Sequence, residues 1–268
     1  MSSNGQRPLA LVTGASSGIG WAFAERLARD GSDLVVAARR RERLEDLKGR
    51  LEKAHGVSVE VLAVDLSTEA GMQAVEDKAA EARLATVIDN AALAYYMPFL
   101  DLPPDKAAEL VRLNALGPLR LIRAALPGMV ERKRGTLVSV ASNLVFSPTA
   151  DAPNLPQRTI YVATKTFLYT LIRLLAAELR DTGVRLQVLC PPIVRTEFHT
   201  RQGLDMSDRP RLEPDEVVQA SMRGLELGEI VCVPALEERD KLERHDQVER
   251  DLLFAGLGGD LAARYTGS

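Results

Sequence analysis

What the 268-residue chain lacks narrows the field first. No uninterrupted apolar run approaches the roughly 18 residues that span a bilayer; PLALV and LVVAA are among the longest. No basic excess asks for a nucleic acid or an anionic membrane, because 34 Lys and Arg stand against 37 Asp and Glu. The opening MSSNGQRP has no apolar core of a secretory signal. Cysteine is scarce: Cys190 and Cys232 each lie in or at the end of an apolar, strand-like stretch, which suits free thiols in a reducing, cytoplasmic setting. The three histidines, His55, His199 and His245, are scattered without ligand spacing, so no metal is expected. Repeats and low-complexity linkers are absent as well. At 46% hydrophobic residues the length suits one core, a single domain over 1–268, and a small-molecule site.

What is present is an alternation. Short apolar runs predict strands at 9–13, 33–38, 57–64, 85–89, 135–141, 184–190 and 230–234. Amphipathic stretches between them predict helices at 18–30, 41–55, 69–83, 105–132, 160–181 and 214–227. Most of the strands are too continuously apolar to have a wet face, so they imply a parallel sheet with helices on both faces. The expected fold is α/β: a doubly wound, Rossmann-type, seven-stranded parallel sheet. Such sheets bind ligands at the carboxyl ends of their strands.

The first strand end carries TGASSGIG, residues 13–20, opening the first helix. Its glycines, Gly14, Gly18 and Gly20, permit a tight turn and close backbone approach, and the helix start attracts a pyrophosphate. A dinucleotide is the expected ligand. The second strand ends in VVAARRRERL. Where users of NAD in such a fold place an acidic residue on the ribose 2′-hydroxyl, Ala38 stands, followed by Arg39, Arg40 and Arg41. Cations are disfavoured at a helix start, and a guanidinium pairs with phosphate through two hydrogen bonds. NADP(H) is therefore expected, with Arg39 as the main contact and Arg40 as a helper. Farther along, TIYVATK sets Tyr161 and Lys165 four residues apart, on one face of a helix.

TGASSGIG, DNAA after the fourth strand, Asn114 in the long helix, Ser142 after the fifth strand and YVATK come in this order. Together they resemble the short-chain dehydrogenase/reductase family, over about residues 8–198. The resemblance implies a catalytic set of Asn114, Ser142, Tyr161 and Lys165. Tyr161 is then the general acid/base and Ser142 bonds the reacting oxygen. Lys165 holds the nicotinamide ribose, and Asn114 organises a water between that lysine and solvent. A free tyrosine titrates near 10; the Lys165 ammonium and the oxidised nicotinamide ring are expected to lower it. Cofactor contacts implied are Gly14, Ser16, Ser17, Gly18, Ile19 and Gly20 in the turn, Asp65 and Leu66 at adenine, and Asn90 and Ala91 beside adenosine. Pro191, Ile193 and Thr196, in CPPIVRTEF, would close over nicotinamide. Two positions depart from the family pattern: Ala92 stands where its Asn-Ala-Gly has glycine, and Pro192 where its Pro-Gly does.

The eighteen residues NLVFSPTADAPNLPQRTI between Ser142 and Tyr161 exceed the family's usual spacing and read as an extended loop. Leu144, Val145 and Phe146, with LAYYMPFL (93–100) and Phe198, either line a hydrophobic pocket or pack the loop onto its own domain. RQGLDMSDRPRLEPDE reads as a flap, within a substrate segment at 199–228 and before a helix starting near Glu213. Residues 235–268 form a charged, helical extension. The expected function is hydride transfer between NADP(H) and a carbonyl or secondary alcohol, in a homodimer or homotetramer. The alternatives are a β-ketoacyl thioester reductase of lipid synthesis and a dinucleotide-sensing protein without turnover.

Overall fold

Strand β1 (Leu9–Thr13) is buried at every position, which only a central strand covered on both faces allows. The computed structural model, which describes residues 7–81, 84–147 and 157–266, pairs β1 in parallel with β2 (Asp33–Ala38) and with β4 (Leu84–Asp89). Outside them lie β3 (Val59–Ala63), β5 (Gly135–Val140), β6 (Val184–Leu189) and β7 (Val231–Cys232). The result is the expected seven-stranded parallel sheet, in the order 3-2-1-4-5-6-7. Strand order reverses between β1 and β4, which opens a crevice at their carboxyl ends.

Alternate strand residues feed two cores. Ala10, Val12, Leu34 and Val36 meet Phe23 and Leu27 of α1 (Gly18–Arg29), Leu44 and Leu47 of α2 (Arg41–His55), and Val217 of α8 (Pro214–Glu226). Leu9, Leu11, Val35 and Ala37 meet α3 (Glu69–Ala79), α5 (Gly117–Glu131) and α6 (Thr159–Glu178) on the other face. Cys232 belongs to the first core and Cys190 to the second, so both are free. Helix α6 is 20 residues long with mean hydropathy 1.3, enough by length and composition to cross a membrane. Its buried face, Tyr161 through Ile172, packs within the domain instead.

The long helix expected over 105–132 is broken. Helix α4 (Pro104–Val111) passes into a π turn, Arg112–Leu116, before α5 begins. Pro118 carries no N–H and cannot donate to the carbonyl of Asn114 four residues back, so the regular ladder fails there. Three other elements are shorter than expected by three residues or more: α3 ends at Ala79, β3 spans five residues and β7 only two. A one-turn helix, α7 (Glu197–Thr200), stands just before the segment read as a flap. Of the long loop, Asn143–Phe146 forms a 3₁₀ turn, and 148–156 lie outside the described residues.

The chain divides into two compact units, Met1–Pro234 and Ala235–Ser268. The second contains α9 (Asp240–Ala255), which buries none of its residues, and a 3₁₀ turn, Ala263–Tyr265.

Candidate active site

The turn after β1 is built to receive an anion. Ser17 caps α1 with extended backbone and no side-chain cap bond, and no acid stands in the helix's first turn. Its N–H groups and dipole are therefore uncompensated from within the helix. Gly18 has φ +57°, and a Cβ there would lie 2.8 Å from the Thr196 γ-methyl. At Gly20 a Cβ would lie 2.5 Å from the Gly14 carbonyl oxygen. Gly20 thus holds the turn closed from below and does not line the cavity above it.

That cavity, about 710 Å³, runs over the carboxyl ends of the strands. The turn residues Gly14, Ser16, Ser17, Gly18 and Ile19 line one wall, with Arg39, Arg40, Asp65 and Leu66 at one end. Asn90 and Ala91 follow, then Ser142, Tyr161 and Lys165, with Pro191, Ile193 and Thr196 opposite. Of the residues expected at the cofactor or the reaction, Gly20 and Asn114 alone are missing from this lining. A dinucleotide fits such a set: a bare helix start, arginines at one end, and a tyrosine and serine at the other.

Each anchor has a local cause. Thr13 Oγ1 accepts from the N–H groups of Asn90 and Ala91 at 2.9 and 3.0 Å, and Asn90 Nδ2 donates to the Thr13 carbonyl at 3.0 Å. The crevice between β1 and β4 is thereby stitched shut beneath the cavity. Asp65 Oδ1 accepts from Ser67 N and Oγ at 2.9 and 2.8 Å, the turn capping such a residue commonly provides. Burial tends to raise its carboxyl, but the Ser67 bonds and the Arg39 charge hold it below the ordinary value. Arg40, expected as the helper, is the arginine seated on the turn: Nη2 donates to Ser17 Oγ at 2.8 Å and to Ser16 Oγ at 3.0 Å. Arg39 is exposed in the lining. Ala92 has no positive φ, so no left-handed backbone calls for a glycine there.

At the other end Tyr161 and Ser142 are buried together, at 6% and 8% exposure. Lys165 Nζ donates to the Val140 carbonyl at 2.7 Å. Burial lowers this lysine to about 8, against the opposing charge of the buried Asp89. The expectation that Tyr161 is lowered fails in the protein itself. Burial pushes its phenol well above 10, Tyr96 adds to the rise, and only a hydrogen bond with Ser142 opposes it. The ammonium is engaged at Val140, and it is not what sets this phenol.

Asn114 is fully buried in the π turn. Its Oδ1 accepts from Leu93 N at 3.1 Å, and its Nδ2 donates to the Leu93 carbonyl at 2.8 Å and to Thr164 Oγ1 at 3.3 Å. The side chain is committed to holding the segment after β4, which leaves the peptide carbonyl as the group it can offer a water relay.

An aromatic wall surrounds Tyr161. Tyr96 and Phe198 have ring centroids 6.0 and 6.1 Å from it, and His199 stacks on Tyr96 at 6.1 Å. Of the proposed pocket residues, Leu144, Tyr96 and Phe198 line the cavity. Val145 and Phe146 pack instead into the core beside Tyr169, the ordinary outcome for apolar loop residues. Sequence reasoning gave no role to Glu197, His199 and Arg201, which also line it; Glu197 stands inside CPPIVRTEF, and α7 with the residue after it brings all three there. On α9, His245, Asp246 and Glu249 bring ligand atoms within 4.8 Å of one another, a grouping that counting histidines overlooked.

Comparison with known proteins agrees with this geometry. A sequence model of the family described as short chain dehydrogenase matches residues 8–206. The chain is 30% identical over 193 residues to a very-long-chain 3-oxoacyl-CoA reductase of Homo sapiens, covering 70% of this chain and 60% of that one. It therefore spans about three fifths of that reductase's length. Among solved structures, a short-chain dehydrogenase from Sphingobium yanoikuyae in complex with NADPH superposes with a TM-score of 0.90 at 35% identity, over 96% of this chain and 99% of that one. A bulky-bulky ketone specific alcohol dehydrogenase from Comamonas testosteroni gives 0.86 at 30% identity, over 97% and 98%. By motif order, sheet topology and relatives alike, the chain belongs to the short-chain dehydrogenase family of oxidoreductases.

Proposed function

We propose that the chain is an NADP(H)-dependent reductase of hydrophobic, bulky ketones, working through Ser142, Tyr161, Lys165 and Asn114. The observation that carries the reading is one continuous cavity with Arg39 and Arg40 at one end and Tyr161, walled by Tyr96 and Phe198, at the other. A reduced nicotinamide bound there supplies the hydride. Tyr161, kept protonated by its burial, donates a proton to the carbonyl oxygen, and Ser142 holds that oxygen by hydrogen bond. Lys165 binds ribose and feeds protons toward Tyr161, and Asn114 keeps its surroundings in register. The aromatic wall favours apolar substituents, and the ketone-specific structural neighbour supports large ones.

A second reading, reduction of a 3-oxoacyl thioester, is favoured by the oxoacyl-CoA reductases among the relatives. A homodimer or homotetramer belongs to the proposal as well, supported by exposed apolar side chains at Leu116 and Leu119 around α5 and at Phe167 and Leu174 on α6. So does a cytoplasmic location, supported by two buried free thiols.

The test is loss of nicotinamide absorbance with a panel of bulky ketones and 3-oxoacyl-CoA esters, run with NADPH and with NADH. Higher kcat/KM for ketones with NADPH is expected. Turnover confined to the thioesters selects the second reading, equal use of both cofactors removes the NADP(H) assignment, and binding without any turnover returns the sensing alternative. Arg39→Ala is expected to weaken NADPH by roughly ten- to a hundredfold, the worth of a charged hydrogen bond, and to leave NADH almost unchanged.

A further inference from the structure

Three guanidinium groups converge on one carboxylate at the rim of the cavity. Glu197 Oε2 accepts from Arg40 Nη1 at 2.8 Å and from Arg201 Nη2, and Glu197 Oε1 accepts from Arg43 Nη2 at 3.4 Å. The remaining donors of Arg40 serve Ser16 and Ser17, so this one side chain bridges the glycine-rich turn and the first residue of α7. The Arg40 and Glu197 side chains are 31% and 39% exposed, where an isolated ion pair would contribute little. Here, however, three positive groups around one negative leave a cationic excess beside the adenosine end of the cavity. Such an excess suits a dianion, and one guanidinium edge cannot serve a carboxylate and a phosphate at once.

We propose that Glu197 occupies Arg40 in place of the cofactor's 2′-phosphate and competes with it, making Glu197 a specificity-determining residue that weakens NADP(H) relative to NAD(H). The inference rests on the NADP(H) reading above and adds to it: the arginines supply the preference, and Glu197 limits its size. Adenosine 2′-phosphate chemistry alone should reveal the effect, with no reaction required.

The test measures dissociation constants of the full-length protein for 2′,5′-ADP against 5′-ADP, and for NADPH against NADH, in wild type and in Glu197→Gln. Tightening of the 2′-phosphorylated member of each pair by roughly three- to tenfold, with the other member changed less than twofold, is expected. The same gain from Glu197→Ala, and its disappearance when Arg40→Ala is added, separates competition from a loosened α7. Equal tightening of both members, no tightening of either, or a gain that survives without Arg40 overturns the proposal. The wild type's own ratio of NADPH to NADH affinity tests the NADP(H) reading separately, because it involves no variant.

Discussion

Lys165 Nζ reaches the carbonyl of Val140, 2.7 Å away and two residues before Ser142. Through that bond the helix carrying Tyr161 is tied to the strand end carrying Ser142, so the Tyr161 phenol and the Ser142 hydroxyl share one brace. A single ammonium thus has a structural partner on one side and the cavity on the other.

Replacement of Tyr161 by Phe removes one hydroxyl and little else. Turnover is expected to fall by roughly 10²- to 10⁴-fold, the range for a lost general acid, while NADPH affinity stays near the wild-type value. Ser142→Ala should lose rate in the same way, and Lys165→Ala should also lose cofactor affinity. Steady-state rates beside a fluorescence titration of NADPH check the pattern; retention of most of the activity in Tyr161→Phe would remove the acid assignment.

Activity should have an alkaline limit set by the lysine. Lys165 is lowered to about 8 by burial, and it is charged only below that pH. kcat/KM for ketone reduction is therefore expected to decline as pH rises through about 8. The Tyr161 phenol, pushed far above 10, cannot account for such a limb. Lys165→Arg, which stays charged, should move the limb upward; an unmoved profile would assign it elsewhere.

Asp89 gives a prediction about stability. Its buried carboxyl is raised from 3.8 to about 6 by burial, against a hydrogen bond from Ser139 Oγ at 2.7 Å and the charge of Lys165. The folded chain then holds more protons than the unfolded one between those values. This contribution is fully present below about 3.8 and is lost as pH rises through about 6. Asp89→Asn still accepts from Ser139 and has no such titration. Whatever fixed offset the amide brings, the variant should gain on the wild type by on the order of 2–3 kcal/mol between pH 4 and pH 7, measured by urea unfolding across that range. A constant difference would mean that Asp89 does not titrate this way.

Gly20→Ala asks the turn to accept a methyl 2.5 Å from the Gly14 carbonyl oxygen and 2.6 Å from Asn90 Nδ2. Both neighbours are fixed, one as backbone and the other by its bond to the Thr13 carbonyl. Overpacking of this kind costs about 1–3 kcal/mol, and the cofactor turn is what must move. A lower Tm together with weakened binding of both NADPH and NADH is expected; unchanged values in both assays would show that the turn can give.

Much of this was legible in the chain. Continuous apolar runs such as LALVT revealed the central strands because only doubly covered strands dispense with a polar face. Tyr161 and Lys165 were legible because a helix has a fixed period. The π turn was not, since the apolar periodicity runs through it and only the missing N–H of Pro118 marks the break. Val145 and Phe146 look the same in sequence whether they line a pocket or fill a core. Glu197 and His199 reach the cavity because Thr196 Oγ1 caps α7 by accepting from Phe198 N at 3.2 Å, a local bond that CPPIVRTEF holds but that the spacing of its residues does not reveal. The rise of the Tyr161 phenol depends on depth, which spacing cannot report.

The sheet's two margins carry a consequence for how the chain behaves in concentrated solution. Strand β7 is only two residues long, and β3 presents Glu60, paired with Lys78 Nζ at 2.7 Å. Short or charged outer strands are poor templates for strand addition by a neighbouring chain. Resistance to fibrillar aggregation is thus set at the ends of the sheet, by the brevity of one outer strand and the ion pair on the other, while the buried middle is left free to be largely apolar.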